Sequence, residues 1–152
     1  QAKFGTLLRQ IRLAQGHLTL HLEIFHEEIE PNAKPIFLIH TLTGDSRKDY
    51  EGTKFIKRLK KDLNKNKLPC SIYGISAPAL NHHPLDMPDS FKELTTLYLK
   101  AIQSKQPHGP YFLIGWSYGG LLALELSRKL QKKHENAAAY CIDTSSPEYR
   151  KK

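Results

Sequence analysis

The chain is short of almost everything that would mark it for a special class. Its 152 residues hold two cysteines, one methionine and one tryptophan. Cys70 and Cys141 lie far apart, each in an apolar, strand-like run. They read as buried, reduced thiols of a cytoplasmic protein, and nothing in their placement supports a disulfide framework. No apolar run is long enough to cross a bilayer as a helix, and there is no internal repeat or low-complexity tract. The opening QAKFGTLLRQ carries neither an initiating Met nor an apolar leader core. It reads as the start of an excised domain rather than a signal peptide. Acidic residues are few, 15 against 23 Lys and Arg, which leaves a formal charge of +8. Histidine stops at His134, a shortage that matters below.

What is present is enough for one domain with a real core: apolar residues make up 39% of the chain. Residues 1–16 read as a linker or a short helix, with Phe4, Leu7, Leu8 and Ile11 at helical spacing and Lys3, Arg9 and Arg12 opposite. Strict alternation over 17–24 predicts a half-buried strand near an edge. The continuous apolar run 36–39 predicts a parallel strand covered on both faces. A helix over about 53–64 follows, with Phe55, Ile56, Leu59 and Leu63 on one face. Next come a strand at 70–75, a proline-broken loop over 76–88, and a helix opened by the capping-box spacing of Ser90 and Glu93. A strand at 111–115, a helix to about His134 and a last strand at 138–142 complete the series. Strands alternating with helices imply an α/β fold built on a parallel sheet.

Nine Lys and Arg residues fall between Arg47 and Lys67, against Asp49, Glu51 and Asp62. Such a run reads first as a solvated helix face, and secondly as a surface that steers an acidic partner. No interleaved aromatics or binding motif points to nucleic acid.

The most informative segment is YFLIGWSYGG, residues 111–120. Apolar strand formers run into Gly115-Trp116-Ser117-Tyr118-Gly119, and a helical pattern follows at once. In that setting G-x-S-x-G reads as a nucleophile elbow. Ser117 would sit at the tip of a strained turn, with Gly115 and Gly119 where strand and helix come too close for side chains. A serine hydroxyl needs a base to take its proton and a carboxylate to orient that base. Asp143 ends the next strand, so its carboxylate would emerge at the same sheet edge; a cap for the turn after it is an equal reading from position alone. Two backbone N–H donors are also needed, one from Tyr118 and one from the loop 41–43. In this kind of enzyme the order is serine, acid, histidine, and no histidine follows Asp143. His40 could approach the site, although a structural role suits it better. His82 and His83 read as surface residues of a proline-rich loop, and no set of metal-ligating residues joins them.

Taken together, residues 35–149 resemble the type I thioesterase domains of fatty acid synthases, polyketide synthases and nonribosomal peptide synthetases. Pro35-Ile36-Phe37-Leu38-Ile39-His40 with Gly44 is similar to that family's opening strand and loop. Residues 106–120 are similar to its elbow segment, and Cys141-Ile142-Asp143 with Pro147 to its acid-bearing strand end. The resemblance implies an α/β-hydrolase fold, a mostly parallel sheet with helices on both faces. Residues 17–152 would be the N-terminal portion of the domain, without its lid, last strands and catalytic histidine. It implies Ser117 as nucleophile, Asp143 as orienting acid, and Leu42 and Tyr118 as oxyanion N–H donors. It also implies an acyl or peptidyl carrier protein as partner, with the acyl chain held on the carrier's phosphopantetheine and no cofactor or metal bound by the domain itself. Where the family has Pro and Gly-Gly in its first loop, this chain has Thr41-Leu42-Thr43-Gly44-Asp45. The expected activity is release of an acyl, polyketide or peptidyl chain by hydrolysis or cyclisation. The 152 residues by themselves are expected to be inactive, with no role for nucleic acid or membrane. Two other readings stand beside it: a general serine carboxylesterase or lipase, and a non-catalytic truncated or carrier-docking domain.

Overall fold

A computed structural model describes residues 2–16, 20, 22–80 and 83–143. Five strands form one sheet: β1 (Glu23–His26), β2 (Ile36–Ile39), β3 (Ile72–Ile75), β4 (Tyr111–Trp116) and β5 (Ala137–Ile142), in the spatial order β1-β3-β2-β4-β5. β2 to β5 are mutually parallel, and β1 is antiparallel to β3 at the edge. Four α-helices accompany them: α1 (Ala2–Ala14), α2 (Lys54–Lys65), α3 (Phe91–Lys105) and α4 (Tyr118–Lys132).

The central strands are buried on both faces, which is why β2 and β3 read as unbroken apolar runs. Successive side chains alternate between the faces, and the core divides accordingly. Phe37, Ile39, Tyr73, Ile75 and Leu113 pack with Leu94, Tyr98 and Ile102 of α3 and Leu122, Leu126 and Leu130 of α4. On the other face Ile36, Leu38 and Ile72 meet Tyr50 and Ile56, with Phe55, Leu59 and Leu63 of α2 against them. Each fully buried aliphatic or aromatic side chain of this kind contributes about 1.5–3 kcal/mol. Helix starts follow the sequence signals. Thr53 caps α2 by accepting from the Phe55 N–H, and Ser90 caps α3 by accepting from the Glu93 N–H.

Several expectations need correction. The edge strand begins at Glu23 and runs to His26, and His17, Leu18, Thr19 and His21 lie outside the described residues. The thiols are free but not buried: Cys70 is half-buried ahead of β3, and Cys141 is exposed on the outermost strand. The capping box at Ser90 is incomplete, because the Glu93 carboxylate turns away to receive Arg9. α1 forms at the predicted spacing but docks by its polar side. Arg9 is buried and donates to Glu93 and to the Met87 carbonyl, while Arg12 grips the buried Asp86. Phe4, Leu7, Leu8 and Ile11 face outward. Of the nine basic residues from Arg47 to Lys67, all but Lys60 are exposed. Asp49, counted with them as a surface charge, is buried.

Candidate active site

The C-terminal ends of β2, β4 and β5 converge on one edge of the sheet, as their parallel registers require. β4 stops at Trp116, α4 starts at Tyr118, and Ser117 alone makes the turn with φ 55° and ψ −120°. That is a region a side-chain-bearing residue adopts only under strain. The strain is held in place from three sides. The Ser117 N–H donates to the Ile142 carbonyl at 2.8 Å, its own carbonyl accepts from Gly120 at 2.9 Å, and the N–H of Trp116 donates to the Tyr50 hydroxyl at 3.0 Å. A Cβ on Gly115 would lie 2.0 Å from the Gly119 carbonyl oxygen, and one on Gly119 would lie 2.4 Å from that of Ile39. Strand and helix therefore approach closely enough that only glycine fits at either position. Ser117 itself is exposed.

Asp143 follows β5 directly, one residue beyond the carbonyl that holds the Ser117 N–H. Its own φ is 50°, and its carboxylate receives the Trp116 indole N–H at 3.3 Å. The structure thus brings Ser117 and Asp143 to the same edge, with Trp116 between them. Thr144 to Pro147, the turn that Asp143 could have capped, lies outside the described residues.

The loop after β2 approaches from the other side. Leu42 is 82% exposed, and its N–H meets no acceptor among the described residues. Tyr118 is the first residue of α4, where the helix itself offers no acceptor for the N–H. The two line one cavity of about 470 Å³, together with His40, Ala77, Leu80 and Met87. A second groove of about 710 Å³ runs along α4 past Tyr118, between Phe91, Leu121, Leu124 and Arg128.

His40 is fully engaged. Its Nδ1 lies 2.6 Å from the Thr41 carbonyl, which can only accept, so Nδ1 carries the proton. Nε2 is then the acceptor for the Tyr98 hydroxyl at 2.6 Å. Burial holds the His40 imidazole below its ordinary pKa and pushes the Tyr98 hydroxyl above its own. The neutral ring has no lone pair left for a serine proton. His82 lies outside the described residues, and His83 caps a short turn through Nδ1, accepting from the Leu85 N–H.

Two residues that sequence reasoning passed over turn out to hold the site. The Tyr50 hydroxyl donates to the Ile39 carbonyl at 2.7 Å while accepting from Trp116, so it ties the end of β2 to the end of β4. Burial raises that hydroxyl to about 12, which keeps it a donor. Asp49 accepts from the N–H of Thr41 and from the hydroxyls of Thr41 and Thr43. Both lie in a π-helical turn, Arg47–Glu51, inside the basic run that masked them.

Residues 34–152 match the family model described as "Thioesterase domain". The chain belongs to the thioesterase domain family. It is 36% identical over 117 residues to the non-reducing polyketide synthase ntnG of Nectria sp, covering 76% of this chain and 5% of that protein. Among solved structures, a holo four-domain nonribosomal peptide synthetase bound to AMP and glycine aligns over 93% of this chain and 10% of its own, with a TM-score of 0.66 and 27% identity. The NocB thioesterase domain, in covalent complex with a fluorophosphonate nocardicin G analogue, aligns over 83% of this chain and 50% of its own, with a TM-score of 0.59 and 20% identity. The domain's sheet and flanking helices are thus of the α/β-hydrolase type. It spans only a small part of the synthases it matches. Among the described residues no helix is long and apolar enough to cross a membrane.

Proposed function

We propose that this domain belongs to a serine thioesterase that releases an acyl, polyketide or peptidyl chain from the phosphopantetheine of a carrier protein. Ser117 attacks the thioester carbonyl. As the O–C bond forms, the serine proton passes to a histidine base, and the carbonyl oxygen takes up negative charge between the N–H groups of Leu42 and Tyr118. The C–S bond then breaks, and the base returns the proton to the departing thiol. Water or an internal nucleophile repeats the sequence on the acyl-Ser117 ester. Asp143 orients the base. The observation that carries this reading is the exposed Ser117 at φ 55°, hydrogen-bonded by its N–H to the residue just before Asp143. Resemblance to synthases built around carrier proteins supports the choice of a thioester substrate, and the exposed lysines of α2 suit an acidic carrier.

In this reading the base is a histidine outside residues 1–152. None follows Asp143, and both nitrogens of His40 are occupied. The test is fluorophosphonate labelling read by mass spectrometry, beside hydrolysis of acyl-pantetheine and of simple esters. The full-length protein should label at Ser117 and favour the pantetheine thioester, and Ser117→Ala should abolish both. The 152-residue polypeptide should turn over about 10⁴-fold or more slowly. Failure of the full-length protein to label would remove the enzyme reading, and a preference for simple esters would favour a carboxylesterase. Brisk Ser117-dependent hydrolysis by residues 1–152 would overturn the external base.

A further inference from the structure

We infer that Asp49 is a positioning residue for the oxyanion loop, acting through Thr41 and Thr43 to fix the N–H of Leu42. The inference rests on the thioesterase reading above. Leu42 is flanked by two threonines, and both are drawn onto the same carboxylate. Asp49 Oδ2 accepts the Thr41 backbone N–H at 2.6 Å, and Oδ1 accepts the hydroxyls of Thr41 at 2.9 Å and Thr43 at 2.8 Å. The Thr43 N–H turns back to the Thr41 hydroxyl at 3.3 Å, and the Thr43 hydroxyl receives the Asp45 N–H at 3.1 Å. The residue before Leu42 and the residue after it are thus pinned at both backbone and side chain, while Leu42 itself touches little.

The arrangement is too costly to be a surface accident. Asp49 is buried, and a buried carboxylate must be met by donors. Among the described residues it has no Lys or Arg ion-pair partner, so the threonines and the loop amide supply its hydrogen bonds. A preorganised donor stabilises developing charge only when it need not move as the charge forms. Asp49 provides that rigidity at Leu42, and its neighbour Tyr50 provides it at the elbow, so both halves of the site hang from one turn.

The test uses the full-length protein and the variants Asp49→Asn, Thr43→Val and Thr43→Ser. Losing one oxyanion donor outright costs about 10²–10³ in kcat, so loosening one should cost about 10–100-fold in Asp49→Asn and about fivefold in Thr43→Val. KM should stay within about twofold of wild type, because the ground-state carbonyl depends less on the donor. An alkylboronic acid, which forms a tetrahedral anion on serine, should lose affinity by the same factor as kcat/KM. Thr43→Ser, which keeps the hydroxyl, should restore both. A lower melting temperature with kcat and boronate affinity unchanged in the folded variants would overturn the inference and leave Asp49 a purely structural residue. Thr43 is exposed, so its pair of variants decides the matter even if Asp49→Asn does not fold. Should Ser117→Ala leave hydrolysis intact, it is the thioesterase reading that fails, before Asp49 is in question.

Discussion

At the scale of single residues, Ser117 shows how the domain sets stability against presentation of a hydroxyl. A side chain at φ 55° and ψ −120° costs about 1–3 kcal/mol, and glycine would relieve it at the expense of some chain entropy. Ser117→Gly should therefore raise stability by about 1 kcal/mol, or about 3 °C in Tm, while fluorophosphonate labelling disappears. Calorimetry beside mass spectrometry checks both halves. His40 makes the opposite trade. Burial holds it neutral in the fold, below its ordinary value of 6.5, with Thr41 and Tyr98 occupying its nitrogens. The unfolded chain protonates His40 freely below that value, so it binds more protons than the native state there. Stability should fall as pH drops from about 7 to 5, and the loss should be smaller in His40→Gln. Urea midpoints at the two pH values measure the difference.

At the scale of elements, α1 is fastened by charge rather than by grease. Arg12 holds Asp86, whose carboxylate also accepts the His83 N–H, and Arg9 reaches Glu93 and two loop carbonyls. Asp86→Asn should cost about 2 kcal/mol, the buried-pair figure discounted for the partial exposure of Arg12. Hydrogen exchange should then show α1 losing protection while β2 and β4 keep theirs. The periodicity of residues 4–11 offered α1 as one of two readings, a linker or a short helix, and left its orientation open. A helical stripe marks which residues share a side, not which side meets a partner, and here two arginines outbid four apolar residues. The strands were easier. β2, β3 and β4 are covered on both faces, so each is an apolar run bounded by polar loops. The edge strand β1 has no such frame, and its predicted limits drifted.

At the scale of the whole molecule, the elbow was legible because close approach forces glycine at Gly115 and Gly119, and forced choices leave a motif. The placing of Asp143 at the same sheet edge was legible because it ends an apolar strand; its role was not, since a cap for the following turn reads equally well from position alone. Asp49 and Tyr50 were not. Their partners lie at Thr41, Thr43, Ile39 and Trp116, and the stretch from Tyr50 to Trp116 takes in α2, β3 and α3 before β4 ends at Trp116. A carboxylate among lysines looks like solvent decoration until the fold turns it inward.

That inward pair has a practical consequence for anyone who would transplant parts of this domain. Residues 41–44 cannot be exchanged as a free-standing insert, because their shape is dictated by a side chain five positions further on. A recombinant chimera with its junction between Gly44 and Asp49 would inherit a floppy strap. One that moves 41–50 as a single cassette would bring the anchor along with the rope.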